Sequence, residues 1–297
     1  MWKAGRWKDY EVLDASDGEK LERWGEYRLL RPDPQVIWHT KKDKKLWSSI
    51  NAHYHRSSKG GGSWEFFDLP ETWSIHYELP DGIELKFNIE PFKFKHTGLF
   101  PEQAANWDWF YNIIKEERDR HPYHDIKVLN LFAYTGGATL AALAAGAQVT
   151  HVDASKGMVG WAKENSVISG LRDRHVRWIV DDCTKFVERE IRRRNTYDAI
   201  IMDPPSYGRG PKGEIWKMED NIYDFLLLSS RLLSDKPLFF LINSYTTGLQ
   251  PLVLDYMTRT IIGSKFGGVI HSEEIGLPVT KSGLVLPCGA SCRWERG

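Results

Sequence analysis

The stretch Val128-Leu129-Asn130-Leu131-Phe132-Ala133-Tyr134-Thr135-Gly136-Gly137-Ala138 decides the fold. Its first half is a short apolar run of the kind a buried strand needs. Gly136-Gly137 then permits a tight turn and close approach of backbone to a ligand. Small residues follow as a helix over residues 137–145, stopped by Gly146. Read outward, the unit repeats. Strands are expected at residues 149–153, 176–180, 197–203 and 238–243, with helices at 155–169, 184–194 and 222–233 between them. Such alternation requires a parallel sheet with helices on both faces. Residues 267–275 and 284–294 are strand-like with no long helix between them, so they are expected as an antiparallel hairpin at the sheet edge. The fold class is therefore α/β: a doubly wound, Rossmann-like, mostly parallel seven-stranded sheet with an antiparallel C-terminal hairpin.

Upstream the pattern differs. Residues 27–30, 36–38, 73–77 and 83–89 read as short strands, with Leu79-Pro80-Asp81-Gly82 as a hairpin turn. Residues 57–63 read as a mobile, glycine-rich loop. A small β-rich domain is expected over residues 1–95, and the α/β domain with a leading helix over 96–297. Pro101 suits the start of that helix. Trp107, Phe110, Tyr111 and Ile114 then share one face, and Pro122 closes it.

Composition narrows the function. Apolar residues make up 41% of the 297, enough for a sizeable core. The three cysteines, Cys183, Cys288 and Cys292, are too few for a disulfide framework and fit a reducing cytoplasm. No run is long and apolar enough to span a bilayer, and the first residues carry no secretory signal pattern. Formal net charge is zero, so any nucleic-acid surface must be a local patch. The best candidate is His39-Thr40-Lys41-Lys42-Asp43-Lys44-Lys45 with His53, His55, Arg56 and Lys59. The alternative is a solvated charged loop.

Ligands of open α/β sheets bind at the carboxyl ends of the strands. After the first strand, the glycine turn leads into a helix N-terminus whose free N–H groups suit a pyrophosphate or a carboxylate. Asp153, with Ala154 and Ser155, ends the second strand, where a carboxylate accepts both hydroxyls of a ribose. The competing role is helix capping. Asp181-Asp182-Cys183 ends the third strand, where an acid suits an adenine amino group. The spacing G-x-G-x-x-G is absent, which argues against a dinucleotide. The fourth strand ends in Asp203-Pro204-Pro205-Ser206-Tyr207. Two prolines hold the backbone extended and rigid and leave carbonyls as acceptors beside an amine or a planar base.

Residues 130–137, 152–155, 181–182 and 202–205 in combination resemble the bacterial family of large-subunit ribosomal RNA methyltransferases I and K and their relatives, over about residues 90–245. The resemblance implies S-adenosyl-L-methionine as donor, S-adenosyl-L-homocysteine as product, a class I methyltransferase fold and ribosomal RNA as usual substrate. It places the methionyl end on the glycine turn, ribose on Asp153, adenine beside Asp181-Asp182, and methyl transfer at Asp203-Pro204-Pro205. A family segment over the cofactor, Thr-Gly followed by Asp-Gln-Arg, corresponds here to Thr97-Gly98 and Glu102-Gln103-Ala104, with alanine where the family has arginine. Candidate cofactor residues are thus Thr97, Gly98, Gln103, Asn130, Phe132, Tyr134, Thr135, Gly136, Gly137, Asp153, Ala154, Ser155, Asp181, Asp182, Cys183 and Asp203. Candidate catalytic residues are Asp203, Pro204, Pro205, Ser206 and Tyr207. The N-terminal RNA-binding PUA module of methyltransferase I has no match in residues 1–90.

Methylation at cytosine C5 needs a cysteine thiolate to add at C6. The expected places hold Ser206-Tyr207 and Asn243-Ser244-Tyr245 instead. A nitrogen acceptor is therefore favoured. Zinc on Cys288 and Cys292 is not expected, because no third and fourth ligands accompany them, and no metal is assigned. The competing readings are a small-molecule or protein methyltransferase, and a non-catalytic or dinucleotide-binding relative of the fold. No membrane partner is expected.

Overall fold

The computed structural model describes residues 1–57, 61–91, 96–209 and 215–297. They cluster into two compact units. One holds Met1 and residues 106–274 and 289–297; the other holds residues 2–105 and 275–288.

In the first unit the strands are β1 (Lys127–Leu131), β2 (Gln148–Asp153), β3 (Val176–Val180), β4 (Ala199–Met202), β5 (Phe239–Ser244), β6 (Val269–Pro278) and β7 (Val285–Glu295). Both β6 and β7 continue into the second unit. Their order is β3-β2-β1-β4-β5-β7-β6. Strands β1 to β5 are parallel, and β7 is antiparallel to β5. The chain winds outward from β1 through β2 to β3, then resumes on the other side of β1 with β4. The switch point therefore lies where Leu131 pairs with Met202, at the carboxyl ends of β1 and β4.

Every residue of β4 and β5 is buried, the signature of strands covered on both faces. The main helices are α1 (Ala104–Arg120), α2 (Gly137–Ala144), α3 (Lys156–Ile168), α4 (Cys183–Arg192), α5 (Met218–Ser229) and α6 (Pro251–Thr258). One apolar cluster joins Leu131, Met202, Phe240 and Ile242 of the sheet to Phe186, Phe225, Leu226 and Leu254 of the helices. Each such side chain, fully buried, contributes about 1.5–3 kcal/mol. On α1, Trp107, Phe110, Tyr111 and Ile114 are all buried. Phe110 stacks on Phe239 with centroids 5.7 Å apart. Helix α6 and the ribbon of Tyr207–Arg209 against Ile215–Lys217 went unseen in the sequence, since both are too short for a periodic signal.

In the second unit, five strands lie side by side in chain order: Tyr10–Ser16, Glu19–Trp24, Tyr27–Pro32, Ala52–Arg56 and Gly62–Phe66. A separate hairpin pairs Trp73–Glu78 with Glu84–Ile89. Trp2–Lys3 pairs in parallel with Ile275 and Gly276. A buried charge cluster sits on the sheet: Arg31 donates to both oxygens of Glu22 at 2.6 and 2.8 Å. Tyr10 donates to the same carboxylate at 2.6 Å. Burial alone would raise the Glu22 pKa, but Arg31 and Lys20 outweigh it and hold it at about 2.

Three expectations are corrected here. Residues 36–38 form no strand. Val36 is buried, Ile37 is 83% exposed, and the carbonyls of Val36 and Trp38 accept the N–H groups of Gly18 and Asp17 across a hairpin turn. The loop expected at residues 57–63 is shorter at its far end. Residues 58–60 lie outside the described residues, while Gly62 and Ser63 already belong to a strand. Gly62 is required there, because a Cβ would stand 2.2 Å from the His55 carbonyl. Of the basic run 41–45, Lys44 and Lys45 open a short helix, Lys44–Ser48, capped by Asp43.

Candidate functional site

Loop tips from β1 to β5 meet along one rim of the first unit's sheet, and hydrogen bonds tie them in sequence. After β1 the backbone takes a sharp path, with positive φ at Phe132 (56°), Tyr134 (49°) and Gly136 (90°). Two non-glycine residues in that region store strain, which functional loops tend to hold. The path is pinned from the neighbouring tips. Asp153 accepts the Tyr134 N–H at 2.9 Å, Cys183 Sγ accepts the Phe132 N–H at 3.4 Å, and the Ala133 N–H reaches the Val152 carbonyl at 3.0 Å.

Gly136 caps α2 with no side-chain hydrogen bond. The contrast with its neighbours is informative. Helix α3 is capped by Ser155, which accepts from Met158 N–H, and α4 by Asp182, which accepts from Lys185 N–H. The first turn of α2 therefore presents its N–H groups and the positive end of its dipole without an internal anion. Gly136 is also a packing necessity: a Cβ there would lie 3.0 Å from Ala162 Cβ. At Gly137 a Cβ would lie 2.5 Å from the Trp107 ring.

The Asp153 carboxylate takes one backbone N–H on each oxygen, Tyr134 on one and Ser155, at 2.8 Å, on the other. Desolvation outweighs those two bonds and raises its pKa. Each oxygen retains a lone pair, so the carboxylate can accept a hydroxyl on each oxygen from a vicinal diol. Asp181 is linked to the same tip by its N–H to the Asp153 carbonyl at 3.0 Å, and its side chain pairs with Arg189. Cys183 belongs to the apolar cluster. Asn130 is buried and donates to Thr139 at 2.9 Å, and Thr139 in turn meets His151 Nδ1 at 2.9 Å. Asn130 thus orders α2 against the sheet. Thr135 is buried and its carbonyl accepts from Asn165 at 3.0 Å.

Beyond β4, the Asp203 N–H reaches the Leu131 carbonyl at 3.3 Å, which keeps the segment on the switch point. Pro204 is buried, Pro205 and Ser206 are exposed, and Tyr207 is 50% exposed. The expectation that both proline carbonyls face outward as acceptors is corrected at Pro205, whose carbonyl accepts the Trp216 indole N–H at 2.7 Å. Trp216 packs on Phe132 at 5.4 Å. It therefore joins the wall after β4 to the turn after β1. Trp216 carries no signal of its own in the sequence, because residues 210–214 before it show no periodic pattern. Ser206 Oγ accepts from Thr246 Oγ1 at 2.8 Å, which brings the tip after β5 to the same wall.

Gly136, Asp153 and Asp203 therefore stand at neighbouring carboxyl ends. Thr97, Gly98 and Gln103 belong to the second unit. There Thr97 is buried with a hydroxyl that has no partner among the described residues, Gly98 takes φ 99°, and Gln103 ends a buried 3-10 turn, Pro101–Gln103.

Neither cysteine of the first unit is set up as a nucleophile. Cys183 is buried, and desolvation pushes its thiol well up. Cys292 is fully buried against Thr258, and burial pushes it to about 11. Cys288 lies in the second unit.

Residues 38–221 match the S-adenosylmethionine-dependent methyltransferase family. Among curated proteins, the chain is 34% identical over 223 residues to the ribosomal RNA large subunit methyltransferase K/L of Pseudoalteromonas atlantica, covering 68% of this chain and 29% of that protein. It is 28% identical over 168 residues to the same-named protein of Cellvibrio japonicus, covering 56% and 20%. The chain thus spans less than a third of the length of these relatives. Among solved structures, the SAM-dependent methyltransferase from Agrobacterium tumefaciens is 38% identical with a TM-score of 0.87, over 97% of this chain and 91% of that one. A putative methyltransferase from Streptococcus mutans, 17% identical with a TM-score of 0.72 over 98% and 76%, shares the fold. The chain belongs to the S-adenosylmethionine-dependent methyltransferase family.

Proposed function

We propose that the protein transfers the methyl group of S-adenosylmethionine to a ring or exocyclic nitrogen of an RNA base, in ribosomal RNA. The observation that carries this reading is the wall Asp203-Pro204-Pro205-Ser206-Tyr207 at the switch point, rigid, half exposed and without a thiol. In this reading the N–H groups opening α2, around Gly136 and Gly137, receive the methionyl carboxylate. Asp153 accepts the ribose hydroxyls. Asp181 and Asp182, with Ala154, Ser155 and Cys183 near them, border the adenine. The bound cofactor supplies a sulfonium methyl, and the chain supplies alignment, an effect on the order of 7–11 kcal/mol.

A base nitrogen attacks through its lone pair and becomes more positive as the bond forms. In this reading Asp203 and the Pro204 carbonyl accept its N–H and stabilise that charge. Tyr207 offers a flat ring on which a base stacks, worth about 1–3 kcal/mol. Where the attacking nitrogen carries a hydrogen, its proton passes to solvent once the methyl is transferred, and S-adenosylhomocysteine is left. The names of the curated relatives support ribosomal RNA as the substrate class.

The test is transfer of tritiated methyl from the cofactor to ribosomal RNA, protein or a metabolite extract, followed by digestion of the RNA to nucleosides and mass spectrometry. An N-methylated nucleoside is the expected product. Label in 5-methylcytidine would overturn the nitrogen assignment, and label only in protein or metabolites would overturn the substrate class.

A further inference from the structure

The edge of the second unit's five-stranded sheet carries a group of side chains that the methyl-transfer reading does not use. In the strand Ala52–Arg56, Ala52 and Tyr54 point inward and are buried, so His53 and His55 share the outer face. Glu65, in the strand Gly62–Phe66, stands directly opposite His53. The two imidazole rings lie 3.9 Å apart between centroids. One ligand atom from each of His53, His55 and Glu65 can be chosen so that all lie within 4.8 Å of one another. The carboxylates are already turned toward the rings: His55 Nε2 is 2.8 Å from Glu65 Oε2, and His53 Nε2 is 2.7 Å from Glu19 Oε1.

We propose that His53, His55 and Glu65 form a binding site for a divalent transition-metal ion, with zinc as the representative, which clamps the edge hairpin of the N-terminal sheet. The donor set selects the class. Two imidazoles and one carboxylate suit zinc, copper or nickel, whereas calcium and magnesium need oxygen ligands throughout. Zinc holds nitrogen at about 2.0–2.1 Å and oxygen at about 2.0–2.2 Å in tetrahedral geometry, so the three donors must close in. His53 is held by the sheet, with its side chain 20% exposed. His55 and Glu65 are about half exposed and are the arms that move. Glu19 keeps its bond to the His53 ring and acts as the outer carboxylate that orients a ligand histidine. Lys42 lies 3.7 Å from the other oxygen of Glu19, so Glu19 is already neutralised and less available as a direct ligand. Because the ligands come from both strands of one hairpin, binding closes a cross-link between them. The sequence hid this: His53 and His55 read as part of a basic patch, and Glu65 lay ten residues on, visible as a partner only once the strands pair.

The site is independent of the methyl-transfer reading and is tested without it. Tag-free full-length protein is titrated with zinc chloride by calorimetry, with calcium chloride as control, and thermal unfolding is followed with and without zinc. One zinc per chain, no calcium binding and a zinc-dependent rise in Tm are expected. His55→Asn and Glu65→Gln are surface changes that leave the fold intact, and each is expected to weaken zinc at least tenfold. His53→Ala should do the same, and Glu19→Gln should weaken it about 10–100-fold. Cys288→Ser should bind like the parent chain. The proposal is overturned if zinc does not bind, if the histidine variants bind it unchanged, or if Cys288→Ser abolishes it.

Discussion

At the scale of single residues, Asp153 has the most to do. Its carboxylate holds the turn after β1 and the start of α3 by two backbone N–H groups, and in our reading it also holds the ribose. Hydrogen bonds to a charged group contribute about 1.5–3 kcal/mol each. Asp153→Ala is therefore expected to weaken S-adenosylhomocysteine by about 100-fold, measured by calorimetry. Unchanged affinity would remove Asp153 from the cofactor site. His151 acts on stability instead. Desolvation, helped by the nearby Lys163 charge, lowers its pKa to about 3, and its Nε2 has no partner among the described residues. The unfolded chain binds a proton there below about pH 6.5, while the native protein does not. Stability present at pH 7 is thus lost as pH falls from 6.5 toward 3. At pH 5 the loss is about 2 kcal/mol. Urea midpoints at the two pH values measure it, and His151→Leu should flatten the difference.

At the scale of elements, the turn into α2 and the ribbon after β4 matter most. Gly136→Ala places a side chain at φ 90°, which costs about 1–2 kcal/mol, and sets a Cβ against Ala162. A lower Tm together with weaker S-adenosylhomocysteine binding is expected; a Tm equal to the parent's would show that the turn relaxes freely. Trp216 holds the Pro205 carbonyl from the opposite strand of the ribbon. Trp216→Phe keeps a ring against Phe132 but removes the donor. Initial rates should fall about 10–100-fold through misalignment of the wall, while cofactor affinity stays unchanged. A loss of cofactor affinity instead would place Trp216 in the binding site. The basic patch suggested for RNA is also an element-scale matter. Lys42 pairs with Asp17 and Glu19, and His39 with Asp17, so the patch is partly neutralised from a neighbouring hairpin.

At the scale of the molecule, the two compact units answer acid differently. His151 makes the first unit lose stability from about pH 6.5 downward. The second unit carries Glu22, held at about 2 by Arg31 and Lys20 against the cost of burial. Its contribution is complete above the unfolded carboxylate value near 4.5 and is lost as pH falls through 2. Hydrogen exchange followed by peptide should show the parallel sheet opening at a higher pH than the N-terminal sheet. Glu22→Gln takes the Glu22 charge away from buried Arg31, at a cost of about 3–5 kcal/mol, and should reverse that order. Among the described residues no helix is long and apolar enough to cross a membrane.

The sequence by itself determined the alternation of strands and helices from β1 onward, because apolar runs and glycine stops are local. It also placed Gly136, Asp153, Asp181 and Asp203 at strand ends, since chain order puts every such tip on the same side of a parallel sheet. What only the tertiary structure decided is which groups are already spoken for. The Pro205 carbonyl goes to Trp216, Asp182 to its own helix, Asn130 to Thr139, and Glu65 to a histidine across a strand. Those pairings depend on distances between segments far apart in the chain, or on a cap geometry that residue type alone leaves open, and no periodicity records them.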